Sequence, residues 1–166
     1  MSFMLGDLPL HPLFVHLTTV AVPVAALLGL AVAAWPAARR RLGLAAPVVA
    51  LVALVSTPLA TSSGEALEKQ SEKSALIERH AQLGDTLIVW VAPLFLLVAV
   101  VWFLGRRYAP TAALDARAAR PEHREAPSWA GPVRIAVSAL LVVVVVGALV
   151  DVVMIGHAGA VAVWTA

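Results

Sequence analysis

Four long stretches without a charged side chain constrain this sequence more than any other feature. They cover 31, 23, 20 and 16 consecutive residues. The stretches are Leu8 to Ala38, Leu42 to Gly64, Thr86 to Gly105 and Ile135 to Val150. A helix needs about 20 apolar residues to cross the hydrocarbon core of a bilayer. Three stretches meet that length, and the fourth meets it once Asp151 is included. We therefore expect an all-α integral membrane protein, a bundle of four transmembrane helices.

Length and composition leave room for one membrane domain over residues 1–166. The chain is 61% hydrophobic and 13% charged, whereas soluble domains are about half apolar and a quarter charged. The predicted spans are 12–35, 44–62, 80–104 and 132–157. No soluble catalytic domain fits in the remainder, and no internal repeat is evident. Because the chain has no cysteine, any metal or cofactor depends on histidine, methionine or carboxylate ligands.

The basic residues indicate the orientation. Nine of the twelve Lys and Arg residues lie in the first and third predicted loops or within three residues of the third. They are Arg39, Arg40, Arg41, Arg106, Arg107, Arg117, Arg120, Arg124 and Arg134. The positive-inside rule places these two loops in the cytoplasm and both termini outside. The third loop, 108–131, reads as a solvated cytoplasmic linker. Since topology accounts for the basic residues, we expect a lipid bilayer and no nucleic acid as partner.

Ionisable residues gather near the predicted outer ends of the helices. We counted about twenty residues from each inner boundary, at a rise of about 1.5 Å per residue. The count brings His16, Glu65, His80 and His157 to one depth. Ionisable groups inside a membrane are unfavourable and usually mark a functional site or pathway. This shared depth predicts a site at the outer face.

Imidazoles on different helices of a bundle can ligate a haem iron or another metal. We predict His16 and His80 as the axial pair, with His157 as an alternative ligand or a supporting group. Gly84, one turn from His80, would leave room for a flat macrocycle. His11 lies five residues before His16, about 140° around the helix, so the two cannot face one iron. We assign His11 a supporting role.

Each of these residues also has a simpler interpretation. A histidine at a membrane interface is commonly a polar anchor or a packing residue. Asp151 is either a proton-transfer or hydrogen-bonding group, or a helix-end carboxylate that reaches the interface. For Glu65 we favour a capping box with Ser62 over a role in the site. Met154 and His157 would together suit copper.

Four segments at the predicted outer ends resemble a bacterial membrane family, domain of unknown function 2231. They are the segments 11–16 (HPLFVH), 63–67 (SGEAL), 77–84 (IERHAQLG) and 156–164 (GHAGAVAVW). The resemblance implies the same four-helix topology and a bacterial cell membrane. Similar proteins occur beside or fused to Rieske-type iron–sulfur domains, which implies a redox setting at the outer face.

The leading hypothesis is an electron carrier rather than a stand-alone enzyme. It would bind haem b near the outer face and relay electrons between a membrane donor, quinol, and an external partner such as a Rieske-type protein. The alternatives are a copper or zinc module that uses the same imidazoles, and a structural subunit without a cofactor. Small residues such as Gly29 and Gly147 permit close helix contacts within one chain or in an oligomer.

Overall fold

The computed structural model describes residues 4–5, 8–70, 74–107 and 128–164. Two antiparallel strands of two residues each precede five helices. The elements are β1 (Met4–Leu5), β2 (Leu8–Pro9), α1 (His11–Ala34), α2 (Pro36–Leu42), α3 (Ala45–Glu68), α4 (Ala75–Arg107) and α5 (Ala130–Trp164). In this part of the chain, α1, α3, α4 and α5 are long and apolar enough to cross a membrane. The predicted all-α bundle with four spans is confirmed.

The helices overlap the predicted spans, and three of them run further. Helix α3 continues to Glu68 and α4 already begins at Ala75, so much of the predicted second loop is helical. The capping box predicted for Ser62 and Glu65 is therefore wrong. A capping box needs the first turn of a helix, where N–H groups have no partner, whereas these residues lie near the end of α3. Most of the predicted linker 108–131 lies outside the described residues.

Small side chains bring the helices together. Helix α1 packs most extensively on α3, and α4 on α5, while further contacts between the two pairs close the bundle. Alanines such as Ala25, Ala46 and Ala53 are fully buried in the core. In a bilayer, such residues allow the close backbone approach on which helix association depends. Many other Leu and Val side chains are exposed on the outside of the bundle, where a bilayer would contact them.

The two helix pairs share many buried positions, a correspondence that the sequence does not display. A displacement of 69 residues relates the buried positions of α1 to those of α4. Thr18, Val22, Ala25, Gly29 and Val32 correspond to Leu87, Val91, Leu94, Val98 and Val101. A displacement of 95 residues relates α3 to α5. Ala46, Ala50, Ala53 and Ser56 correspond to Leu141, Val145, Ala148 and Asp151, all buried. We interpret this correspondence as two similar helical hairpins, as in the parallel repeats of membrane proteins.

The two ends of the bundle differ in chemistry. At one end lie the starts of α1 and α4 with the ends of α3 and α5; we call it the histidine end. At the other lie α2, the end of α4 and the start of α5; we call it the arginine end. Gly43 turns the chain from α2 into α3 there with φ of +51°, a conformation that glycine adopts readily.

Candidate functional site

A cavity of about 520 Å³ lies between the four long helices at the histidine end. Its volume is within the usual range for small-molecule and cofactor sites. Apolar and small side chains form most of its wall. The ionisable residues that line it are His11, His16, Glu65, Glu68, His80 and Asp85. The predicted depth of His16, Glu65 and His80 thus corresponds to one shared cavity.

His11 connects the start of α1 to the end of α3. Its Nδ1 lies 3.1 Å from the Ala60 carbonyl oxygen and 3.2 Å from Ser63 Oγ. The Ser63 hydroxyl itself donates to the Ala60 carbonyl, so the remaining proton belongs on Nδ1 of His11. This tautomer leaves Nε2 with a free lone pair. The ring lies flat against Gly64, where a Cβ atom would be only 3.0 Å from His11 Cε1.

His80 makes the same connection in the second hairpin. Its Nδ1 lies 3.1 Å from the carbonyl oxygen of Ile155 on α5. A carbonyl can only accept, so Nδ1 carries the proton and Nε2 again keeps its lone pair. The ring packs on Gly159, where a Cβ atom would be 3.0 Å from His80 Cε1.

The two histidines are equivalent positions of the repeat. The displacement of 69 residues converts His11 into His80, and the displacement of 95 converts Ala60 and Gly64 into Ile155 and Gly159. Both rings line the same cavity. Imidazoles that bind metals are typically fixed in this way, by a hydrogen bond from the second ring nitrogen.

The other two predicted ligands have different surroundings. His16 lines the cavity but is exposed, and its Nδ1 lies 2.6 Å from the Pro12 carbonyl oxygen of its own helix. His157 is exposed and is not part of the cavity wall. The structure therefore groups His80 with His11, the residue for which the sequence indicated only a supporting role. The sequence does not show which face of α1 packs against α3, so it could not decide between His11 and His16.

Glycines also widen the cavity. Gly84 and Gly156 both line it. A Cβ atom at Gly84 would have no neighbour nearer than Thr61 Cγ2 at 3.9 Å, and one at Gly156 would meet nothing within 4 Å. The space beside them is therefore open. Two imidazoles, apolar walls and open glycine surfaces fit the needs of a flat macrocycle with two axial ligands.

The acidic candidates do not contact the imidazoles. Asp151 is 7% exposed, and both of its carboxylate oxygens lie 3.0 Å from Thr86 Oγ1. This contact connects α5 to α4 beside the cavity. Glu65 is an exposed residue of the cavity wall. The hydrogen bonds that orient His11 and His80 come from the backbone and from Ser63 instead.

Within the described ranges, no three His, Asp or Glu side chains come close enough together to hold a metal ion. A zinc site needs at least three protein ligands. Met154, suggested as a copper ligand, is exposed. A haem iron needs only two axial ligands from the protein, since the macrocycle supplies the other four. The two imidazoles are therefore fewer than a zinc site requires, and they match the number of protein ligands that a haem would need.

No family model, curated protein or solved structure matches this chain. The resemblance to domain of unknown function 2231 stays a prediction. The geometry of the cavity is therefore the basis for assigning a function.

Proposed function

We propose that the protein is a membrane electron carrier that binds haem b between His11 and His80. One observation carries this proposal. Each hairpin contributes one imidazole to the same cavity, and each imidazole is held by an Nδ1–H hydrogen bond to a carbonyl of the neighbouring helix. His11 and His80 would hold the haem, which when bound would supply one-electron redox chemistry.

The hydrogen bonds prepare the two rings for this role. An Nδ1–H bond to a carbonyl fixes the tautomer and ring orientation, and it makes Nε2 a better electron-pair donor. The carbonyl that accepts from each ring belongs to the other helix of the same hairpin. Each ring is therefore fixed relative to both helices of its hairpin. Apolar residues such as Leu87, Val152 and Ile155 line the cavity, which favours a large apolar ligand.

The surroundings proposed for the site follow from the distribution of charge. The concentration of arginine at one end supports a cytoplasmic position for that end. The haem would then lie near the outer face of a bacterial cell membrane. There it would pass electrons from quinol to an external partner, and the resemblance described above supports a Rieske-type protein in that role.

An optical spectrum of the purified protein tests the proposal directly. Protein produced with ample haem is expected to show a Soret band and sharper bands after reduction with dithionite, as two imidazole ligands require. H11A and H80A should each lose most of the bound haem, while H157A, which replaces an exposed histidine outside the cavity, should keep it. A folded wild-type protein without a Soret band would refute haem binding. Elemental analysis of the same sample detects the alternative, copper or zinc.

The same hydrogen bonds also support a second candidate function. The bonds from His11 to Ala60 and from His80 to Ile155 tie neighbouring helices together. In a structural subunit without a cofactor, connecting these helices would be the only role of the two histidines. In that case H11A and H80A would lower the melting temperature without any spectral change.

A further inference from the structure

A second group of ionisable side chains lies at the arginine end, far from the cavity. Its members come from α2, α4 and α5, and we call them the arginine cluster. They are Arg39, Arg40, Arg41, Arg106, Arg107 and Arg134. The described segments around them, 36–44, 102–107 and 128–134, contain no Asp or Glu. The proposed haem site makes no use of these residues.

Arg39 differs from its neighbours in burial. Arg40 and Arg41 are exposed, whereas Arg39 is half-buried. Its side chain crosses from α2 to α4 over Gly105, where a Cβ atom would be 2.9 Å from Arg39 Cδ. The missing side chain at residue 105 thus creates the groove in which Arg39 lies.

Arg39 also lies near a second positive charge. Burial lowers the pKa of Arg39 below its ordinary value, and the charge of Arg134 on α5 lowers it further. Arg134 lies near the start of α5 at the same end of the bundle and is exposed, and the described segments around the two arginines hold no carboxylate. Like charges at one end of a bundle favour the binding of an anion there.

The surroundings suit one chemical class of anion. Planar guanidinium groups match the oxygens of a phosphate in pairs. Arg106 lies over the ring of Trp102, 5.3 Å from its centroid, and Trp35 is 64% exposed at the same end of the bundle. Tryptophans are enriched at the level of the lipid headgroups. Basic pockets between transmembrane helices bind the headgroups of anionic lipids.

We propose that Arg39 and Arg134 form a binding site for a phosphate group, which the headgroup of an anionic membrane lipid supplies. The site lies at the opposite end of the bundle from the cavity and does not depend on haem binding. Arg39, held in the groove over Gly105, provides a fixed donor. Arg134 is exposed and provides the second.

Lipid titration of the full-length protein tests this site. In neutral detergent at physiological ionic strength, short-chain phosphatidylglycerol is expected to raise the melting temperature saturably, and phosphatidylcholine is not. R39Q/R134Q should weaken the affinity for phosphatidylglycerol by about fivefold for each arginine, about 25-fold together. R40Q/R41Q removes the same charge from positions outside the proposed pair, where no direct contact with the phosphate is expected. It should stay within about twofold of the wild type, because salt screens charges that act only at a distance. R134Q alone should lower the affinity for phosphatidylglycerol by about fivefold. Because Arg134 is exposed, this variant can be measured even if the double variant does not fold.

Three results would overturn the proposal. An equal loss in R40Q/R41Q would show diffuse attraction rather than a site. A full temperature shift with inorganic phosphate alone would show a site for a free anion instead of a lipid. Asp115, Glu122 and Glu125 lie outside the described residues. If the protein binds phosphatidylglycerol only in the variant D115N/E122Q/E125Q, then carboxylates of the chain itself occupy the arginines.

Discussion

The two glycines beneath the imidazoles matter as much as the imidazoles. Gly64 and Gly159 let the rings of His11 and His80 lie directly on the backbone of the neighbouring helix. A methyl group at either position would be 3.0 Å from a ring carbon, so the ring would have to tilt. Tilting would weaken the Nδ1–H hydrogen bond and redirect Nε2. The positions that orient the proposed ligands therefore include residues without side chains.

G64A and G159A are each expected to reduce haem affinity by about 10-fold to 100-fold, the range typical of residues that support metal ligands. Stability should change little, since alanine is favoured over glycine within a helix by about 1 kcal/mol. Haem titration followed at the Soret band measures the affinity. The matched control is G131A in α5, where a Cβ atom meets nothing within 4 Å. Unchanged affinity in G64A and G159A would argue against these rings as the ligands.

The sequence points to the region of the cavity, whereas the structure pairs His80 with His11 by their hydrogen bonds. Counting residues from the inner boundaries brought His16, Glu65, His80 and His157 to one depth, and the first three of these line the cavity. The choice between His11 and His16 depended on which face of α1 meets α3. That face is set by contacts with Ala60 and Ser63, about fifty residues away in the chain, and no pattern within α1 reports it.

At the scale of the elements, a lateral polar contact joins α4 to α5. The Thr86 hydroxyl lies within 3.0 Å of both carboxylate oxygens of Asp151 and 2.7 Å from the Leu83 carbonyl oxygen. Asp151 occupies the position that Ser56 has in the first hairpin. A buried carboxylate is unfavourable without a hydrogen-bond donor. The second hairpin therefore depends on Thr86 in a way that the first does not.

T86V should lower the free energy of unfolding by about 1–3 kcal/mol, the usual penalty for a buried polar group without a partner. D151N keeps an oxygen acceptor and removes the charge, so it should be at least as stable as the wild type. Thermal or denaturant unfolding in detergent measures both changes. T19V is the matched control, because the described hydrogen bonds of Thr19 stay within its own helix. Equal losses in T86V and T19V would contradict the assigned role.

The helices themselves were predictable, and their ends were not. Charge-free stretches identify the spans because a bilayer excludes unpaired charges. Residues 62–68 mix serine, glycine and glutamate, a composition typical of a helix start or a loop. They remain helical in α3, and His11 packs against them. Contacts between helices override such local signals.

The repeat belongs to the scale of the whole molecule, and the sequence conceals it. Corresponding buried positions hold different residues, such as Gly29 and Val98 or Ala46 and Leu141. An interface between helices in a membrane requires complementary size rather than identity. Two hairpins can therefore keep the same buried positions with little sequence in common. Only the burial and the hydrogen bonds of the histidines reveal their equivalence.

The two candidate functions predict different effects on stability for the double variant H11A/H80A. If haem joins the hairpins through His11 and His80, haem at about 1,000 times its dissociation constant stabilises the protein by about 4 kcal/mol. H11A or H80A alone should then remove most of that stabilisation, and H11A/H80A should remove little more. If the histidines only tie helices together, the two bonds lie in separate hairpins and their effects should add. Unfolding of the four proteins with and without haem distinguishes these outcomes, with H157A as the control. Additive losses that do not depend on haem would favour the structural subunit.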